Sequence, residues 1–152
     1  MCEYLIFFIV FIFSIIISII DFKFYKIPNT ILILYFISCL IIFICFECNT
    51  LLIRFISGIL LFLVFLFIYF YTKGMGLGDV KYSFVIGFVL GFKSLYACLI
   101  GTIIALIFSI STRTKKIAYG PFLALGCIVV FVINIFLTPK NLSSLILFMK
   151  RA

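Results

Sequence analysis

Six predominantly apolar runs, at residues 4–20, 31–46, 51–71, 82–92, 95–110 and 121–137, are separated by only short polar stretches. With 68% of 152 residues hydrophobic and 11% charged, no water-soluble domain could hide this much apolar surface, so lipid is the expected solvent. Backbone polar groups in lipid must be satisfied within a helix or a closed barrel, and continuous runs lack the period-2 alternation of barrel strands. The expectation is an all-α polytopic membrane protein of about six transmembrane helices with short loops. A crossing needs about 20 residues, so residues 1–152 form a single integral-membrane domain with no room for a soluble one.

The first run starts without a basic segment and ends at Asp21 and Lys23 without a small-residue cleavage site, so it is taken as a span and not as a removable signal peptide. The fourth run has the wrong length: eleven residues cover only about half of a ~30 Å hydrocarbon core. One long helix over 82–110 would bury Lys93 in mid-membrane at a cost of roughly 2.5–3.5 kcal/mol, whereas a break at Gly91-Phe92-Lys93-Ser94 frees it. Two helices are therefore expected, the first beginning near Gly78 or Asp79.

Twelve Lys and Arg give a formal charge of +8, but they cluster at the ends of apolar runs and form no basic face. That pattern anchors helices at lipid headgroups and argues against a nucleic-acid partner. With six spans and an outer N-terminus, Lys23, Lys26, Lys73, Lys81, Arg113, Lys115 and Lys116 face the cytoplasm, against Arg54, Lys93, Lys140, Lys150 and Arg151 outside. The bias is small. The basic C-terminal tail, with apolar residues 145–149, is expected to lie along the interface. Of six cysteines only Cys45 and Cys48 form a C-x-x-C, and the chain has no His, so a zinc site is not expected, and no residue pattern calls for another cofactor.

Only four acids are present: Glu3, Asp21, Glu47 and Asp79. Acids in or beside membrane helices are functional candidates by default. Glu3 and Glu47 fall at ends expected to face outward. Asp21 closes the first span and Asp79 opens the fourth, two crossings apart, which puts both on the cytoplasmic side. Two such carboxylates can share one proton, one activating a water while the other protonates the scissile group. Simple anchoring of helix ends is the bland alternative, but an anchor has no use for the three glycines at 74, 76 and 78 ahead of Asp79. Downstream of Asp21, Pro28 breaks the chain and Asn29 is expected to cap the next helix.

Asp21 followed by Ile27-Pro28-Asn29, and Gly76-Leu77-Gly78-Asp79-Val80-Lys81, resemble the paired signatures of the type IV prepilin peptidase family, which also covers preflagellin peptidases. Tyr119-Gly120-Pro121 resembles the Gly-Pro start of that family's last helix. The resemblance implies a metal-independent GxGD-type aspartic endopeptidase with Asp21 and Asp79 as its catalytic pair. It implies a prepilin or pseudopilin substrate, cut after a Gly between a basic leader and an apolar helix, by a multi-pass enzyme of the cell membrane with its active site facing the cytoplasm. Bifunctional members carry two C-x-x-C pairs in a cytoplasmic region; here the first loop is about ten residues, so a short, cleavage-only form is expected. A presenilin-like protease shares Gly-x-Gly-Asp but not the Ile-Pro-Asn spacing. A proton-coupled transporter subunit would place its acids near the bilayer midplane instead.

Overall fold

The computed structural model describes residues 2–72, 75–112 and 118–137. The expectations about Lys73, Gly74, Arg113, Lys115, Lys116 and the tail beyond residue 137 lie outside these residues, as does the side chain of Glu3. Among the described residues every regular element is helical. They are α1 (Cys2–Phe24), α2 (Asn29–Phe46), α3 (Leu51–Thr72), α4 (Leu77–Leu90), α5 (Ser94–Thr112) and α6 (Gly120–Leu137), with short 3-10 turns at Cys48–Thr50 and Gly91–Lys93.

Four helical stretches, 4–24, 29–46, 48–71 and 77–111, are long and apolar enough to cross a membrane, and 120–134 is a shorter apolar helix. Their exteriors carry exposed apolar residues such as Phe8, Ile19, Leu34, Phe67 and Leu106.

The 77–111 stretch is not straight. Gly91 adopts φ +62°, a left-handed conformation that suits glycine, and α4 ends there. Lys93 follows on the surface, where its ammonium donates to Asn134 Oδ1. The break expected at 91–94 is therefore present. Contacts on either side of it place α3 antiparallel to α4, with Arg54 at Val89 and Gly58 at Phe84, and α5 antiparallel to α6, with Lys93 at Asn134 and Thr102 at Tyr119.

The shortness of α4 has a physical resolution. Fourteen residues rise about 21 Å, less than the hydrocarbon thickness. Ten of the fourteen are buried, so α4 is surrounded mainly by protein and not by lipid. Its approach to α3 is close enough that a Cβ on Gly87 would lie 2.7 Å from the Gly58 Cα and 2.9 Å from the Ser57 carbonyl oxygen. Small residues at such a crossing let helices pack by van der Waals contact where lipid removes the hydrophobic drive. Phe88 packs edge-on against Phe36, Phe43 and Phe55, tying α2 and α3 to the same side of α4.

One end of the bundle is closed by Arg54. Its guanidinium pairs with Glu47 at 2.8 Å, donates to the Val89 carbonyl at 2.7 Å and to Thr50 Oγ1 at 3.1 Å, and stacks 3.9 Å above the Phe43 ring. The helix ends of α2, α3 and α4 meet there. Reporter fusions after Ser94 and after Lys116 are expected to report opposite sides of the membrane; the same side for both would mean that α5 does not cross.

Candidate active site

At the opposite end, α1 delivers Asp21 and the first turn of α4 delivers Asp79. Both side chains are largely withdrawn from the surface, at 4% and 8% exposure, which is unusual for carboxylates without a cationic partner. Both line one cleft of about 410 Å³, together with Tyr25, Lys26, Ile27, Asn29, Gly76, Gly78 and Lys81.

The two acids are held differently. Asp21 Oδ2 accepts a 2.9 Å hydrogen bond from the backbone N–H of Gly120, the first residue of α6. A free N–H at a helix start is a ready partner for an anion. The position is sterically restricted, because a Cβ on residue 120 would stand 2.7 Å from that same oxygen. Asp79 Oδ1, by contrast, is buried with no hydrogen-bond partner among the described residues. An unsatisfied buried carboxyl oxygen is costly, and such groups mark sites where water or substrate completes the hydrogen bonding.

The loop after Asp21 packs beneath the second acid. Tyr25 takes φ +51°, a left-handed turn that ends α1 and sends residues 26–28 back across the bundle end. Ile27 is buried, and Gly78 sits directly on it: a Cβ there would be 3.0 Å from the Ile27 Cβ. Gly76 similarly leaves space beside Asp79 Oδ2, 3.3 Å from where its Cβ would be. Gly76 and Gly78 thus permit the α4 start, with Asp79 on it, to seat against the loop that follows Asp21.

Asn29 corrects one expectation. Pro28 occupies the N-cap position of α2, with φ −70° and no side-chain cap, and Asn29 is the first helical residue. Its side-chain oxygen instead accepts from Lys81 Nζ at 2.9 Å, linking α2 to α4 at the rim of the cleft. Pro121 is also outside the cleft, lying beside Ser14 and Ser18 between α1 and α6.

Ile27, Asn29, Gly76, Gly78, Lys81 and Gly120 therefore gather around the two aspartates, whereas Pro28 and Pro121 shape helix starts. Sequence reasoning missed Tyr25 and Lys26 as lining residues; their placement depends on the left-handed turn, which no local signal announces. Glu47 lies at the far end of α2, neutralised by Arg54. Cys45 and Cys48 are exposed free thiols, and no group of side chains that could hold a metal ion occurs among the described residues.

No curated protein and no solved structure matches the chain significantly. A family model described as the type IV leader peptidase family matches residues 8–111, which include both aspartates, Ile27-Pro28-Asn29 and the Gly76–Lys81 segment but not Gly120 or Pro121. With more than half of its length matched, the chain belongs to the type IV leader peptidase family.

Proposed function

We propose that this peptidase is an aspartic endopeptidase that removes the basic leader from a type IV prepilin or prepilin-like protein, with Asp21 and Asp79 as its catalytic pair. The observation that carries this reading is the burial of both carboxyls in one cleft, with Asp79 Oδ1 lacking a hydrogen-bond partner among the described residues. Two like charges in such a site cannot both ionise cheaply, so the pair holds one proton. The ionised carboxyl takes a proton from a water as its oxygen attacks the scissile carbonyl carbon. The protonated carboxyl gives its hydrogen to the carbonyl oxygen, and collapse of the tetrahedral diol returns a proton to the departing amine. The Gly120 N–H fixes the orientation of Asp21 through these transfers.

In this reading the helices make six crossings of the cell membrane, α4 within a protein surround, and the cleft opens to the cytoplasm. Lys23, Lys26 and Lys81, all exposed at that end, support the orientation. Neither aspartate lies near the middle of its helix, which disfavours the transporter alternative. No metal or organic cofactor takes part.

Asp21→Asn and Asp79→Asn are each expected to lower cleavage of a prepilin by about 10²-fold or more, with the double variant no worse than either single one. Glu47→Gln, at the other end of the bundle, should change the rate little. Near-wild-type cleavage by a well-expressed Asp→Asn variant would refute the pair. Gly120→Ala should leave the protein in the membrane but depress kcat, since the added methyl displaces the Asp21 carboxyl; an unchanged kcat would remove Gly120 from the mechanism. In a cysteine-free background, Lys26→Cys should resist impermeant thiol reagent in intact cells while Lys93→Cys is labelled, and the reverse pattern would invert the proposed orientation.

A further inference from the structure

The cleft does not end at the rim formed by Asn29 and Lys81. Those same two residues also border a second cavity, of about 380 Å³, that opens sideways between α2 and α4. Its walls are Leu32, Ile33, Phe36, Phe84 and Val85. The two helices are pinned at each end of it. At the cleft side the Lys81–Asn29 hydrogen bond spans them, and deeper in the bundle Phe36 packs against Phe84 and Phe88 with ring centroids 5.5 and 5.0 Å apart. Between these ties the helices stand apart. From Asn29 to Phe36 is seven residues, so the groove runs about 10 Å along α2, or two helical turns, away from the aspartates.

We infer that this α2–α4 groove seats the first turns of the substrate's apolar membrane helix, on the carboxyl side of the scissile bond. The inference rests on the proposed leader-peptidase activity. Such a substrate has two unlike halves, a basic leader and an apolar helix, and only the second suits these walls. Burying leader lysines among Leu32, Phe36 and Phe84 would leave charges desolvated and unpaired. The shared rim supplies the continuity: a helix lying in the groove reaches the Asn29–Lys81 pair where the apolar walls give way to the aspartate-lined cleft. The peptide bond just ahead of the helix then enters that cleft without the helix leaving the bilayer. The α1–α6 groove beside Ser14 and Ser18 is also apolar, but it shares no lining residue with the aspartate cleft.

The rim residue Ile33 tests this, because it is 57% exposed, faces the groove and lies outside the aspartate-lined cleft. Ile33→Trp should fill the groove and raise KM for a synthetic prepilin, carrying a lysine-rich leader, Gly before the scissile bond and a full apolar helix, by about tenfold, with kcat within about twofold of wild type. An unchanged KM, or a fall in kcat alone, would overturn the assignment. A photoreactive residue at position 33 in the otherwise unaltered enzyme should cross-link to the helix of that prepilin, and one at Ile15 in the α1–α6 groove should not. Cross-links at 33 to lipid only, or to substrate equally at 15, would also overturn it. If the wild-type enzyme leaves the synthetic prepilin uncut, the leader-peptidase reading fails on that result, while the cross-linking still scores the groove.

Discussion

The close seat of α4 within the other helices is the constraint on which the rest depends. In lipid the apolar effect gives helices no reason to associate, so contact must come from shape and from polar links. Gly87 against Gly58 provides the shape, and the phenylalanines at 36, 43, 55 and 88 fill the space around it. A helix too short to reach across the hydrocarbon on its own is tolerated because its surround is protein. That burial carries Asp79, three residues into α4, away from bulk water and toward Asp21.

The two ends of the bundle use polar groups in opposite ways. Arg54 satisfies Glu47, the Val89 carbonyl and Thr50 at once, so that end is closed electrostatically and tied across three helices. At the other end the lysines face outward, and Lys81 bonds to Asn29, not to either acid. A cation on Asp79 would stabilise its charge and leave it a poor proton carrier. Keeping it unpaired costs stability, which is the usual condition of a site that must bind and react. The end tied by Arg54 and the end that holds the aspartates are ten residues of α4 apart, from Val89 to Asp79, so the tie at Arg54 does not touch the chemistry.

Much of this was legible in the residues themselves. Long apolar runs dictated helices in lipid, since no other backbone arrangement satisfies its own hydrogen bonds there. Lys93 after Gly91 marked the break, because a mid-membrane ammonium is costly and Gly91-Phe92-Lys93-Ser94 reads as a turn. With only four acids in the chain, the glycine-flanked Asp79 and the loop-preceding Asp21 stood out, and their spacing put them on one side. What local pattern could not give was each side chain's partner. Asn29 fits a cap by type, yet Pro28 holds that position, which leaves the Asn29 side chain to accept from Lys81 across the rim.

The sequence by itself determined the solvent, the helices, their breaks and the two acids worth watching, because these follow from local hydropathy and from the cost of charge in lipid. Only the tertiary structure decided that Gly120 donates to Asp21, that Asp79 Oδ1 has no partner among the described residues, that Tyr25 and Lys26 line the cleft, and that an apolar groove continues from it between α2 and α4. Each of these is a relation between residues far apart in the chain. Such relations are fixed by how closely helices can approach and at what rotation, a property of packed surfaces that no single segment carries.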